Sequence, residues 1–151
     1  VGLDPTILNR NINTLSSSER GLLSISIGLL SNPELIVIEE PFQNLDKKKE
    51  KKLVMLFQKI IDQYNKTIVI ISNDTEIIYQ YTTHLIICEG NKILQDGKTK
   101  DILKKVDFLK EHKINIPEII EFTDIARKIK KVKLDYHKDI RDIIKDIYKH
   151  V

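Results

Sequence analysis

The stretch that decides the fold is Leu35-Ile36-Val37-Ile38-Glu39-Glu40-Pro41. A continuous apolar run rich in β-branched residues is typical of a strand that is buried on both faces of a parallel sheet. Two carboxylates follow this run directly, so they lie at the carboxyl end of the predicted strand. Because ligands bind at this edge of open α/β sheets, the pair indicates a site for magnesium and a nucleotide.

Three further motifs surround this strand. They are Leu15-Ser16-Ser17-Ser18-Glu19 upstream, Leu45-Asp46 just downstream, and Thr67-Ile68-Val69-Ile70-Ile71-Ser72-Asn73-Asp74 further on. Their order and spacing resemble the carboxyl-terminal half of the nucleotide-binding subunit of ATP-binding cassette (ABC) transporters. In that family an L-S-G-G-Q signature opens a helix, a strand ends in Asp-Glu-Pro, a D-loop ends in Leu-Asp, and a later strand ends in a switch histidine.

The resemblance implies an α/β fold: a partial P-loop NTPase-type (ABC ATPase) parallel sheet with flanking helices, followed by a helical C-terminal tail. Hydrophobic periodicity and turn residues predict the individual elements. In chain order they are a helix from Asn13 or Thr14 to Ser31, a strand over 34–39, a helix over 46–64, a strand over 67–72, a helix over 75–81, a hairpin of 84–89 with 92–95 that closes at Asp96-Gly97, helical pieces over 98–113, a helix from Pro117 to about Lys131, and a final helix with apolar residues from Ile140 to Val151. In the helix over 46–64, the residues that share one apolar face are Leu53, Phe57, Ile60, Ile61 and Tyr64.

We divide the chain into residues 1–103, the C-terminal half of the ABC ATPase domain, and residues 104–151, a helical dimerisation or regulatory extension. The extension is locally basic, which we interpret as the solvated faces of amphipathic helices; an anionic membrane surface or an acidic partner is the alternative. The single cysteine, Cys88, argues against a disulfide framework, and its apolar neighbours predict that it lies in the core. No apolar run is long enough to span a bilayer.

The signature segment has a physical logic of its own. A helix that begins near Ser16 presents unpaired N–H groups and a positive dipole end, which bind phosphate. The resemblance implies that Ser16, Ser17 and Ser18 cap the γ-phosphate held by the opposite subunit. Here Ser17 and Ser18 replace the two glycines of the family, and Glu19 replaces its glutamine and brings negative charge near the anion. Ser16 with Glu19 also matches an ordinary capping box, so both interpretations stay open.

The acids and the switch position depart from the family in part. The resemblance implies that Glu39 is the magnesium-side acid and that Glu40 polarises the attacking water. The family has aspartate at the first position, and the longer Glu39 is expected to weaken magnesium coordination. Asn73 replaces the switch histidine and cannot carry a proton near pH 7, while a plain helix cap is its alternative role. The resemblance also implies that Asp46 couples the two nucleotide sites of a dimer.

Beyond residue 74 the chain resembles the carboxyl-terminal region of energy-coupling factor transporter ATPases. The matching segments are Glu89-Gly90-Asn91-Lys92-Ile93-Leu94-Gln95-Asp96-Gly97 and Ile114-Asn115-Ile116-Pro117-Glu118-Ile119. The resemblance implies an ATPase coupled to solute uptake, with ATP and Mg²⁺ as cofactors, at the cytoplasmic face of the cell membrane. Its implied partners are a second ABC ATPase subunit, in a homo- or heterodimer, and a transmembrane coupling subunit, with no nucleic acid.

The sequence contains no G-x-x-x-x-G-K-[ST] motif and therefore no phosphate-cradling P-loop. We expect the chain to be a fragment whose amino-terminal half precedes Val1, and we expect it not to bind ATP tightly alone. Two alternatives stay open. The first is a catalytically impaired structural partner subunit of an ABC ATPase heterodimer. The second is a soluble ABC ATPase that acts on nucleic acid or ribosomes, a class that normally brings coiled-coil arms or a second cassette.

Overall fold

The computed structural model describes residues 1–130 and 134–149. The chain forms two compact units, Val1–Asn73 and Asp74–Val151, which are described separately below. The boundary expected between residues 103 and 104 separates the part that resembles an ABC ATPase domain from its extension. It does not refer to compact units, and it stays a prediction.

The first unit contains two 3-10 helices, two α-helices and two short strands. Its elements are the 3-10 helices Pro5–Asn9 and Ile12–Thr14, α1 (Ser17–Leu30), β1 (Leu35–Glu39), α2 (Lys47–Tyr64) and β2 (Thr67–Ile71). The first α-helix begins later than expected, because residues 12–14 form a separate 3-10 turn and Ser16 is the N-cap. The other predicted elements of this unit agree in type and differ in their ends by about one residue.

The two strands pair in parallel, as expected, with Leu35 opposite Thr67 and Glu39 opposite Ile71. Burial alternates along both strands. The prediction of a strand buried on both faces is therefore wrong for the described residues, since Leu35 and Val37 are 55% and 56% exposed. The physical reason is that the described elements of this unit cover only one face of the pleated pair.

The second helix supplies much of the core of this unit. Leu53, Phe57 and Ile60 are buried, and the Phe57 ring packs edge-on against that of Phe42 at 6.0 Å between centroids. Burying a side chain of this size contributes about 1.5–3 kcal/mol. Ile61 and Tyr64 remain exposed, so the buried stripe is narrower than the apolar periodicity predicts.

The second unit is a hairpin surrounded by helices. Its elements are α3 (Thr75–Tyr81), β3 (His84–Glu89), β4 (Lys92–Lys98), α4 (Thr99–Leu103), α5 (Val106–Glu111), α6 (Glu118–Lys130) and α7 (Ile140–Lys149). The hairpin is antiparallel, as expected. Its second strand does not close at Asp96-Gly97, because both residues still pair with β3, opposite Ile86 and Leu85. Lys131 and Val151, where the last two helices were expected to end, lie outside the described residues.

The placement of Cys88 in the core is wrong. The cysteine is exposed, on the hairpin face that also exposes Ile86. The opposite face carries Leu85 and Ile87, which pack against the core of the unit, and a register irregularity separates Ile87 from Cys88. Alternation along the strand decides which side chains are buried, whereas an apolar run alone does not identify the buried face.

The core of the second unit joins the helices to the hairpin. Its buried members are Ile78, Tyr79, Leu103, Val106, Leu109 and Ile120. Over residues 1–130 and 134–149, no helix combines the length and the apolar character that crossing a bilayer requires.

Candidate functional site

The first site residue, Glu40, lies directly after β1 at the carboxyl edge of the parallel pair. Its N–H donates to the Ile71 carbonyl at 2.8 Å, which extends the ladder by one residue. Its φ of +44° lies in the left-handed region, where a residue with a Cβ is uncommon. The backbone therefore leaves the strand direction at this residue, next to the end of β2.

The Glu40 carboxylate is held through both of its oxygens. The Ser72 hydroxyl donates to Oε2 at 2.7 Å, and the Asn73 N–H donates to Oε1 at 2.8 Å. An ionised carboxylate has about four acceptor positions, so these two bonds leave capacity for a further donor such as water. The structure therefore places Glu40 at the ligand edge of the sheet, in contact with the residue at the switch position.

Glu39 is the last residue of β1 and is exposed. Within the part of the chain that the structure describes, no group of three or more His, Cys, Asp or Glu side chains could hold a metal ion. Mg²⁺ commonly uses only one or two protein carboxylates and takes its remaining ligands from waters and phosphates. An exposed carboxylate oxygen on Glu39 is chemically suited to that role, so the residues present fit a magnesium ion that arrives with a nucleotide.

Asn73 is exposed, and its backbone N–H belongs to the Glu40 contact. Its alternative role as the cap of the following helix is wrong. The N-cap of α3 is Asp74, whose Oδ1 accepts hydrogen bonds from the N–H groups of Glu76 and Ile77. Asp74, and not Asn73, therefore caps the amino end of α3.

The amino end of α1 forms a complete capping box. The Ser16 hydroxyl accepts from the Glu19 N–H at 3.2 Å, and Glu19 Oε2 accepts from the Ser16 N–H at 2.7 Å. Hydrogen bonds from Ser16, first from its backbone and then from its hydroxyl, hold the pKa of the Glu19 carboxyl below its ordinary value. The charges of Arg10 and Lys49 lower that pKa further. The Glu19 carboxylate therefore brings negative charge to this helix end.

The three serines of the signature segment differ in exposure. Ser16 and Ser17 are exposed, whereas Ser18 is buried at 8% exposure. The Ser18 hydroxyl lies 3.3 Å from that of Ser16 and accepts a hydrogen bond from Lys49 Nζ at 3.2 Å. The exposed tip of the helix therefore consists of Ser16 and Ser17, while the Ser18 side chain contacts its own unit.

Asp46, at the position of the D-loop aspartate, is the N-cap of α2. Its Oδ1 accepts from the N–H groups of Lys48 and Lys49 at 2.9 and 2.8 Å. These bonds, that from Lys49 above all, hold the pKa of Asp46 below its ordinary value. Its side chain is still 61% exposed, and Lys49 Nζ lies 3.9 Å from its Oδ2. Capping explains how a helix that opens with several lysines begins at this residue.

Comparison with known proteins finds no matching family model. Curated relatives do match over most of the chain. An energy-coupling factor transporter ATP-binding protein of Enterococcus faecalis is 28% identical over 124 residues, 82% of this chain and 43% of the relative. The corresponding protein of Streptococcus thermophilus is 30% identical over 81% of this chain and 43% of its own length. A further one, from Oenococcus oeni, is 27% identical over 99% of this chain and 51% of the relative.

The chain resembles the ATP-binding proteins of energy-coupling factor transporters. It spans about half the length of the curated relatives that it matches. The resemblance expected from the motifs is thus confirmed by relatives that match well beyond those motifs.

Solved structures agree with the expected fold. A dimeric ATP-binding cassette in a post-hydrolysis state with ADP and Pi superposes with a TM-score of 0.60 at 24% identity, over 64% of this chain and 41% of the cassette. A protein of Clostridium perfringens that forms part of an ABC transporter complex gives a TM-score of 0.54 at 18% identity, over 74% and 45% of the two chains. The chain therefore has the α/β fold of ABC ATPase cassettes over the matched part, and the fold class is confirmed.

Three side chains contact these site residues although the sequence did not predict that they would. Ser72 lies in the motif of residues 67–74, but no neighbouring residue indicated that its hydroxyl would contact Glu40. Lys49 is one of several lysines at the start of α2 and belongs to none of the four motifs. Arg10, whose Nη1 lies 3.2 Å from Glu19 Oε1, precedes the signature segment and carries no motif of its own. Each contact joins residues that are 9 to 32 positions apart, which no local pattern specifies.

Proposed function

We propose that this chain is the carboxyl-terminal half of an ATP-binding and ATP-hydrolysing subunit of an energy-coupling factor type ABC transporter that drives solute uptake. The observation that carries the proposal is the Glu40 carboxylate at the sheet edge, held by Ser72 and by the backbone of Asn73. The relatives support it, since they match most of this chain and are named as ATP-binding proteins of energy-coupling factor transporters.

In this proposal Glu40 orients the attacking water. Two of its acceptor positions are used by the protein, and the others accept a hydrogen bond from a water that is aligned with the γ-phosphate. The Asn73 amide donates to a phosphate oxygen without adding charge. Glu39 would hold Mg²⁺, which would supply positive charge against the phosphates of the nucleotide.

The signature segment acts on the nucleotide of a second ATPase subunit. Ser16 and Ser17, at the positive end of α1, face its γ-phosphate, and the Ser18 N–H belongs to the same first turn. Glu19 opposes the anion because it is ionised, and Arg10 and Lys49 offset part of its charge. Asp46 couples the two sites across the dimer. The phosphate cradle comes from a P-loop outside this sequence, so the isolated chain binds ATP weakly.

The assembly that we propose is a pair of ATPase subunits beneath a transmembrane coupling subunit, at the cytoplasmic face of the cell membrane. Two observations support it. The matched cassette structure is described as dimeric, and the matched Clostridium perfringens protein is described as part of a transporter complex.

The test is ATP hydrolysis by the assembled ATPase pair that contains this chain in its full-length protein. Glu40→Gln keeps the shape of the side chain and removes its charge, so we expect hydrolysis to stop while ATP still binds. Glu34→Gln is the matched control, because the Glu34 side chain is 86% exposed and its Oε1 pairs with Lys66 Nζ at 2.7 Å, away from the proposed site. Hydrolysis that survives Glu40→Gln undiminished contradicts the proposal.

A catalytically impaired partner subunit is the second candidate function. It is favoured by five replacements of family residues. They are Ser17 and Ser18 for the signature glycines, Glu19 for the signature glutamine, Glu39 for the first aspartate, and Asn73 for the switch histidine. Combining Asn73→His with Glu39→Asp in the full-length heterodimer separates the two candidates. A rise in ATP turnover supports a hydrolytic site that these replacements slow down. Unchanged turnover supports the structural role.

A further inference from the structure

We propose that Ser72 is a positioning residue that holds the Glu40 carboxylate in the orientation that directs the attacking water. This inference rests on the proposed function, in which Glu40 orients the attacking water. Ser72 itself touches no substrate in this scheme and acts only through Glu40.

Three consecutive residues at the end of β2 hold Glu40. Its N–H donates to the Ile71 carbonyl at 2.8 Å, its Oε2 accepts from the Ser72 hydroxyl at 2.7 Å, and its Oε1 accepts from the Asn73 N–H at 2.8 Å. Backbone and side chain are thus held by the same segment of the neighbouring strand. A carboxylate held at both oxygens has one orientation rather than a set of rotamers.

Fixing this side chain before substrate arrives has a catalytic consequence. A free glutamate loses rotamer entropy when it is ordered, and here that cost is met during folding. A misplacement of a reacting group by about 1 Å can cost about 100-fold in rate.

The hydrogen bond from the Ser72 hydroxyl is the one of these three contacts that a side-chain substitution can remove. The other two contacts use main-chain atoms of Ile71 and Asn73, which survive a change of side chain. The hydroxyl of Ser72 is a donor that alanine lacks and threonine retains. Ser72→Ala and Ser72→Thr therefore form a pair that separates the hydrogen bond from the mere presence of a small residue.

The first measurement is steady-state ATP hydrolysis by the full-length, assembled ATPase pair. We expect Ser72→Ala to lower kcat by about 10-fold with KM for ATP within about twofold of the native value, and Ser72→Thr to restore kcat. Ser24→Ala is the matched control, because the Ser24 hydroxyl is exposed and donates to the Arg20 carbonyl of its own helix at 3.0 Å.

The second measurement is hydrogen–deuterium exchange at the Asn73 amide, which reports on the carboxylate without turnover. We expect faster exchange in Ser72→Ala and native exchange in Ser72→Thr and Ser24→Ala. Native kcat in Ser72→Ala, or a loss that threonine does not restore, overturns the positioning role alone. If the assembled ATPase pair with the native sequence hydrolyses no ATP, the proposed function is overturned, and with it the reaction in which Ser72 would act.

Discussion

Two glutamates of the first unit are held by the same kinds of donor, a serine hydroxyl and a backbone N–H. Glu19 takes both from Ser16, at 2.8 and 2.7 Å, three residues away in the sequence. Glu40 takes them from Ser72 and Asn73, at 2.7 and 2.8 Å, more than thirty residues away. The local arrangement starts a helix, whereas the long-range one fixes a carboxylate at the ligand edge of a sheet. Similar chemistry therefore serves folding in one place and, in our proposal, catalysis in the other.

The largest expected effect is on ATP hydrolysis, for which substitutions of the two glutamates should have different results. In the assembled ATPase pair, Glu40→Gln should lower ATP turnover by at least about 100-fold, since it removes the water-orienting charge. Glu19→Gln should instead raise ATP affinity by roughly 2- to 5-fold, because it removes a negative charge from the end of α1 and still permits a capping box. Parallel hydrolysis and nucleotide-binding assays measure both. Equal losses in the two variants would contradict the division of roles.

A second prediction concerns the stability that the local arrangement supplies. Ser16→Ala removes the N-cap of α1 and should lower the free energy of unfolding by about 1 kcal/mol. Ser24→Ala, on the same helix, should change it by less than about 0.5 kcal/mol, since its hydroxyl is exposed and bonds to a carbonyl that already belongs to the helix. Urea denaturation of the full-length protein measures both values. A Ser16→Ala change no larger than that of the control would show that this box contributes little.

A third prediction uses the ionisation of Glu19. Its pKa is lowered on folding, so the stability from its hydrogen bonds is fully present above its ordinary pKa of 4.5 and is lost as the pH falls below that value. Glu19→Gln should remove this component and flatten the pH dependence of unfolding in that range. Denaturation of both forms between pH 7 and the acid range measures it. Identical pH profiles would contradict the role of the ionised carboxylate.

The smallest expected effect concerns the ion pair of Arg10 with Glu19. Its members are 42% and 24% exposed, so solvent screens their attraction. Arg10→Met should lower the free energy of unfolding by no more than about 1 kcal/mol, with a smaller effect at high salt. Denaturation at low and high salt measures both the size and the screening. A larger, salt-independent loss would indicate that Arg10 acts through its hydrogen bond to the Thr14 carbonyl instead.

Much of the fold could be predicted because it depends on local chemistry. The bounds of α3 agree with the expected ones, since the apolar spacing after residue 74 defines a short helix. The capping box of Ser16 and Glu19 could be read from four residues. The burial of β1 and of Cys88 could not, because it depends on which face of each strand another element covers.

The sequence by itself determined the strand that ends at Glu39 and is followed by Glu40, the helix that Ser16 caps, and the family that these motifs resemble. Apolar periodicity, caps and turn residues act between neighbours, so their outcome is present in the order of the residues. Only the tertiary structure decided that Ser72 and Asn73 hold both oxygens of Glu40, that Lys49 reaches Ser18, and that Asp74 rather than Asn73 caps α3. The first two contacts require strands and helices far apart in the chain to pack together. The third is a choice between adjacent residues that the backbone geometry decides.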